Sequence, residues 1–188
     1  FCKMSSLLNE EEYSMELKDV ITRRRSIRKY KNEQVSTDLL LEISDLSLNA
    51  PSAGNMKACQ LVIINEKSTI EKVKRFSPGM GFIPPALIVI GINLQKALSK
   101  AGTMAKKEFI YYDAAIVAYN ICLLASEYNL GSCILASFNR DAIGKFVNFS
   151  DEICPILMVS IGYPLKEPVK LISEDKSNMI FLQKYENR

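Results

Sequence analysis

Arg23-Arg24-Arg25-Ser26-Ile27-Arg28-Lys29-Tyr30-Lys31 is the stretch on which the reading of this chain turns. Six of its nine residues are cationic, and no acid falls between Asp19 and Glu33. Arginine forks match phosphate oxygens two at a time, and the Ser26 hydroxyl adds a donor. Arg28 lies two residues past Ser26, so an extended backbone puts both on one side. On its own the run reads as an anion clamp or as a solvated basic patch. A second stretch, Asn49-Ala50-Pro51-Ser52-Ala53-Gly54-Asn55, follows a helical pattern. Ala53 and Gly54 are small enough to let backbone approach a ligand, and the Asn55 amide both donates and accepts. Alone it reads as a ligand loop or as a plain turn.

Outward from these stretches the chain alternates helical and apolar segments. Ser14 is placed as the cap of a short helix with Met15, Leu17, Val20 and Ile21 on its apolar positions, which delivers the basic cluster at its C-terminal end. Ser36 or Thr37 starts a second helix with Leu39, Ile43 and Leu46, stopped by Asn49-Ala50-Pro51. Leu61–Ile64, Ala86–Ile92, Cys133–Leu135 and Pro155–Ile161 read as strands. Ser68-Thr69-Ile70-Glu71 reads as a capping box opening a helix to Arg75. Residues 93–107 suggest a short helix and a mobile loop. Phe109 to Leu130 is long and apolar, but Asp113, Asn120 and Glu127 recur every seven residues. That seam predicts a core helix and not a membrane span, with Gly131 as its stop. Asn139 caps a last helix through Val147. The apolar residues Met179–Leu182 ask for a surface to cover. Helices between separated apolar strands predict a three-layer domain of mixed α and β structure.

Composition narrows the chemistry. At 188 residues with 48% hydrophobic and 24% charged residues, the chain is expected to form one globular domain. A net charge of +3 and no aromatic interleaving beyond Tyr30 argue against a nucleic-acid partner. The chain has no His, which removes Ser-His-Asp and Cys-His nucleophilic sites and His-ligated zinc. An enzyme of this composition needs Cys, Lys or carboxylate chemistry, or a cofactor. Five cysteines without a CxxC predict free thiols in a reducing compartment, hence a cytoplasmic location. Glu10, Glu11 and Glu12 precede any apolar core, so no secretory signal is expected. Cys122, Cys133 and Cys154 are expected in the core, and Cys59 is the thiol with a claim to function. Phe82, Phe109, Tyr111 and Tyr112 are read as core, with a substrate pocket as the rival assignment.

In order along the chain, these features resemble the FMN-dependent nitroreductase family. Arg24-Arg25-Ser26-Ile27-Arg28-Lys29-Tyr30 is similar to its N-terminal Arg-Arg-Ser-x-Arg-x-aromatic motif. Asn49–Asn55 is similar to its Ala-Pro-Ser-x-x-Asn motif. Asp113, Leu130-Gly131-Ser132-Cys133 and Ile161-Gly162-Tyr163-Pro164 follow in the family's order. The resemblance implies an α+β fold, a three-layer α/β/α sandwich around a mostly antiparallel sheet. The resemblance covers roughly residues 15 to 168; beside it, the residues themselves predict a single domain over 1–188, with 1–13 a loose N-terminal arm and 169–188 a C-terminal arm reaching a partner subunit. The resemblance also implies a homodimer with FMN at the interface, the small face Ala114, Ala118 and Ala125 of the long helix serving helix packing.

For the site, the resemblance assigns the FMN phosphate and pyrimidine to Arg24, Arg25, Ser26 and Arg28. Pro51, Ser52, Ala53 and Asn55 fall to the ring and ribityl chain, and Ile134, Leu135, Ala136 and Ser137 to backbone groups near flavin N5. Lys57 stands where the family often carries Gln before Pro-Trp and is expected to reach the flavin or its phosphate. Lys170 is the nearest substitute for a late phosphate-binding Arg. The implied activity is ping-pong transfer of hydride from NADH or NADPH to flavin N5 and onward to a nitroaromatic or quinone. Dehalogenation or dehydrogenation on the same fold, and flavin binding without turnover, are the rival functions.

Overall fold

The computed structural model describes residues 15–168 and 179–185. The elements are α1 (Leu17–Arg23), α2 (Thr37–Ser47), a 3₁₀ turn at Ala53–Asn55, β1 (Cys59–Ile64), α3 (Lys67–Arg75) and β2 (Ala86–Asn93). After these come α4 (Leu94–Met104), a π-helical turn at Ala105–Phe109, α5 (Ile110–Glu127), β3 (Gly131–Leu135), α6 (Arg140–Phe146) and β4 (Ile153–Gly162). The four strands form one antiparallel sheet in the order β1-β2-β4-β3.

β2 is apolar at nearly every position because it is covered on both faces. Ile88, Ile90 and Ile92 point to one side, into a core shared with Leu40, Ile43, Ala114, Ala118, Ile121 and Ala125 of α2 and α5. Leu87 and Val89 point to the other, with Ile70 and Val73 of α3 and Ile143 of α6. The period of two in the strand therefore builds two cores and three layers. The register slips at Ile90/Gly91, where Ile90 faces Leu157 and Gly91 faces Pro155. Pro155 cannot donate to a ladder, which suits it to such an irregularity. Phe149 and Ile153 fill the space beside Gly91 that a side chain would occupy.

α5 has the length and apolar content of a membrane-crossing helix, yet it lies across the sheet as the central core helix. Asn129 ends it, not Gly131. Asn129 has φ 56°, the Leu130 amide donates to the Ala125 carbonyl and the Asn129 amide to the Ser126 carbonyl. That pair is the Schellman arrangement, and Asn tolerates the left-handed position better than most residues. Gly131 is instead the first residue of β3.

Other boundaries also differ from the sequence expectation. α1 starts after Glu16, and only Val20 among its residues is buried. α2 does start after Ser36, but no side chain caps it, and its buried face is Leu40, Ile43, Ser44 and Ser47. Ser44 and Ser47 enter that face because their hydroxyls donate to the Leu40 and Ser44 carbonyls within the helix. At α3 the capping box does not form. The Ser68 and Thr69 hydroxyls donate to the Glu66 carboxylate at 2.6 and 2.7 Å, so Glu66 organises the turn. β1 is an edge strand and only half-buried. Residues 93–107, expected as a short helix and a mobile loop, are helical on either side of a break at Gly102 (φ 60°, ψ −154°) and lead through the π-helical turn into α5. Ala114, Ala118 and Ala125 are fully buried in this chain's own core, so they are not a face for a partner. The expected arm at 1–13 lies outside the described residues, as do Ser14, Lys170 and most of 169–188. Met179, Ile180 and Leu182 are exposed.

Candidate functional site

The basic stretch leaves α1 at Arg24 and runs extended along the sheet. Ser26 bridges Ser132 at the start of β3, and the Ile27 amide donates to the Ser132 carbonyl at 2.9 Å. Further on, the Lys31 amide donates to the Tyr163 carbonyl and the Leu165 amide to the Lys29 carbonyl. The Tyr30 hydroxyl sits between Ile27 and Ser160, 2.7 Å from the carbonyl of one and 2.8 Å from the hydroxyl of the other. Burial pushes this phenol far above its usual range, so it stays a neutral pin. The cations are thus mounted on a strap tied at both ends.

On that strap the arginines are not equivalent. Arg24 lies with its guanidinium carbon 5.9 Å from the centre of the Tyr119 ring, and its buried Nε has no partner. Arg25 donates through Nη1 to the Thr22 and Arg24 carbonyls, while its buried Nε and Nη2 have no partner. Arg28 and Ser26 are exposed. Unpaired donors on half-buried arginines are costly unless an acceptor is supplied. An anion with several oxygens is the acceptor that fits, so the residues present suit the phosphate of FMN.

The second stretch is held from below. α5 carries Asp113, 3% exposed, whose Oδ1 accepts the Ala53 amide at 3.0 Å. The turn requires left-handed backbone at Gly54 (φ 55°), Asn55 (φ 52°) and Lys57 (φ 48°). The Ser52 hydroxyl accepts the Lys57 amide, and Lys57 Nζ donates to the Ala50 carbonyl at 2.9 Å. Lys96 of α4 donates to the Lys57 carbonyl at 2.8 Å. Lys57 was expected to reach outward to a flavin. Here its ammonium is turned back onto its own loop, because the Ala50 carbonyl at the end of α2 needs a donor. Burial raises the Asp113 carboxyl above the usual carboxylate range, opposed by the Ala53 amide and by the Lys57 charge.

Cys59 stands beside Asp113 and Lys57. Burial, and after it the Asp113 charge, push its thiol up to about 12, with Lys57 pulling the other way. A thiol raised in this way stays protonated and inert, against the functional claim made for it. Alkylation of the Cys59 peptide by iodoacetamide, followed by mass spectrometry, is expected to lag free glutathione at every pH from about 7 to about 10. Labelling at the glutathione rate would mean an open, ordinary thiol.

The third group, Ile134 to Ser137, ends β3. Leu135 is buried, whereas Ile134, Ala136 and Ser137 are exposed and available to a ligand. The Ser137 carbonyl is already taken by the Gly79 amide. Arg140 at the start of α6 lies over Tyr111 of α5, 5.4 Å from the ring centre. Phe82 packs on Tyr30 and Phe109 on Tyr112.

Within one chain no described hydrogen bond or ring contact joins the arginine strap to the Pro51–Asn55 loop. Both touch α5, but at different levels: Arg24 at Tyr119, Ala53 at Asp113. Six residues of helix separate those levels by about 9 Å. Sequence reasoning named Asp113 without giving it a task. An acid on the polar seam of a mostly apolar helix was the available signal, and its task is to hold the loop.

The chain matches the model of the nitroreductase family over residues 21–81 and 74–163. It belongs to the nitroreductase family. A solved nitroreductase family protein from Clostridium difficile is 26% identical, with 82% of this chain and 88% of that one covered at a TM-score of 0.72. A second, from Streptococcus pneumoniae, is only 13% identical but reaches a TM-score of 0.80 over 89% of this chain and all of that one, which speaks for the fold alone. A Thermus thermophilus protein named NADH dehydrogenase is 23% identical over 182 residues, covering 81% of this chain and 89% of its own length.

Proposed function

We propose that the chain binds FMN and carries electrons from NADH or NADPH to an electron-poor acceptor, a nitroaromatic or a quinone, in a ping-pong cycle. That it is an oxidoreductase follows from its family. The observation that carries the cofactor reading is the set of unpaired donors on Arg24 and Arg25, beside Ser26 on a tied strap. Arg24, Arg25 and Arg28 hold the phosphate side, and Pro51, Ser52, Ala53 and Asn55 the ring. Ile134 to Ser137 form the wall by N5. The flavin, when bound, supplies the hydride acceptance and electron transfer that protein side chains do not perform. The NADH dehydrogenase name of the Thermus relative supports a nicotinamide donor.

The same reading makes the working unit a homodimer. α5 exposes Tyr112, Ile116 and Tyr119, spaced four and three apart on one face. α1 and α2 add the exposed Leu17, Ile21, Leu41 and Leu46. A two-fold axis near Ile116 sets the Tyr119 level of one protomer against the Asp113 level of its partner. Each flavin then takes its phosphate clamp from one chain and its ring loop from the other, which accounts for the 9 Å offset within a chain.

The test is the visible spectrum of the purified chain, then anaerobic mixing with NADH and with NADPH. Bound FMN bleached by either donor and recoloured by a quinone is the expected result. A chain that takes up no FMN overturns the cofactor assignment. Bound FMN that neither donor bleaches leaves a flavin-binding protein without turnover.

A further inference from the structure

We propose that the cavity between α6 and the start of β4 is a binding site for a small zwitterion with an apolar body, the chemistry of an apolar α-amino acid, with its carboxylate on Arg140 and its ammonium on Asp151. The cavity is about 330 Å³. α6 lies close on β4 beside it, since a Cβ at Gly144 would stand 3.3 Å from Pro155 Cγ. Leu94, Phe149, Ile153 and Pro155 give it an apolar lining. The charged lining is Arg140, Asp141 and Lys145 on α6, and Asp151 on the turn that leads into β4. The α6 side therefore carries a net positive charge and the turn a negative one.

Each feature narrows the ligand. Arg140 is positioned before any ligand arrives: its guanidinium carbon lies 5.4 Å from the centre of the Tyr111 ring, and Nη1 donates to the Tyr111 hydroxyl at 3.4 Å. Most of its donors stay open, and its planar fork suits a carboxylate. No ion pair among the described residues joins Arg140 or Lys145 to Asp141 or Asp151, so opposite charges line one cavity without cancelling. An anion alone would leave Asp151 unanswered and meet repulsion from Asp141. A cation alone would leave Arg140 and Lys145 unanswered. A ligand without an apolar part would gain nothing from Phe149 and Pro155. A metal ion is disfavoured, since no cluster of three metal-binding side chains exists among the described residues. The volume is about twice that of a cavity that holds benzene, which leaves room for a ring and an amino-acid headgroup. None of the residues assigned to the flavin lines this cavity, so the site does not rest on that assignment.

The experiment titrates the full chain with L-phenylalanine, with phenylpropanoate, which lacks the ammonium, and with phenethylamine, which lacks the carboxylate. The backbone amide signals of Gly144, Phe149 and Cys154 are followed by NMR. L-phenylalanine is expected to shift all three saturably and to bind at least about tenfold more tightly than either analogue, because each analogue leaves one charged partner unmet. Arg140→Gln is expected to bring L-phenylalanine down to the affinity of phenethylamine. Phenethylamine itself should bind that variant as before, which separates loss of the carboxylate partner from damage to the cavity; where it does not, Asp151→Asn decides. Asp151→Asn is expected to bring L-phenylalanine down to the affinity of phenylpropanoate, with phenylpropanoate unchanged. Equal binding of the three ligands by the native chain, absence of saturable shifts, or native L-phenylalanine affinity in either variant would overturn the proposal. Phenylpropanoate that matches L-phenylalanine on the native chain would leave an anion site and overturn it too. Failure to take up FMN leaves these shifts unaffected and bears only on the cofactor reading.

Discussion

Arg24→Ala combined with Arg25→Ala is expected to weaken FMN binding by a factor on the order of a hundred to ten thousand. Hydrogen bonds to charged groups contribute about 1.5–3 kcal/mol each, and at least two are lost. The same variant is expected to cost the flavin-free chain little stability. In that form the Arg24 Nε and the Arg25 Nε and Nη2 are buried without partners, so removing them relieves a desolvation cost. What is lost is the Arg24 contact with Tyr119 and the Arg25 bonds to the Thr22 and Arg24 carbonyls, which are local. A large loss of FMN affinity with little loss of stability separates a ligand role from a structural one. Arg28→Ala makes a graded comparison, because Arg28 is exposed and has only a 3.5 Å contact to the Ser26 carbonyl. Its loss should weaken FMN by about tenfold or less. Flavin fluorescence quenching gives the affinity and thermal unfolding without flavin gives the stability. A double variant that is unstable yet still holds FMN at native affinity would sink the phosphate clamp.

How far such a site is legible in a sequence depends on which forces set each part. β2 and β4 were readable because strands covered on both faces need unbroken apolar runs, and Ala86–Ile92 and Pro155–Ile161 are such runs. The Asn139 cap was readable because the side chain that the pattern named does accept the Ala142 amide at 2.9 Å. α3 was misread at its start because two hydroxyls and a preceding carboxylate have more than one way to pair, and Glu66 won. The face of α2 was misread because small serines can bond inside their own helix and pack where a leucine was expected, leaving Leu41 and Leu46 exposed. In residues 93–107 the break at Gly102 was legible, because its backbone (φ 60°, ψ −154°) does leave the helical region; the helical turns that resume beyond it and lead into α5 were not. At the site, the arginines and the loop were legible as residue types. Their separation along α5 was not, because it depends on which turn of one helix each happens to touch. Lys57 illustrates the same limit: its charge was visible, but its direction is set by the Ala50 carbonyl.

Gly131→Val is the single substitution expected to damage fold and site together. A Cβ at Gly131 would stand 2.8 Å from Ile27 Cβ, Cγ1 and Cγ2. No rotation of Ile27 clears its own Cβ, so the backbone of the strap has to move. Overpacking of this kind costs about 1–3 kcal/mol. The direction of movement matters more than the cost. Ile27 lies between Ser26 and Arg28, its amide donates to the Ser132 carbonyl at 2.9 Å, and its carbonyl accepts from Tyr30. Pushing it off β3 tilts the residues meant to meet the phosphate. FMN affinity is therefore expected to fall by about tenfold or more even where the fold survives, since a displacement near 1 Å at a positioning group can cost that much. Gly81→Val serves as the control, because nothing lies within 4 Å of a Cβ there. Urea unfolding midpoints and FMN titrations on both variants measure the two effects. Loss of stability at Gly131 with native FMN affinity would show that the strap does not set the clamp.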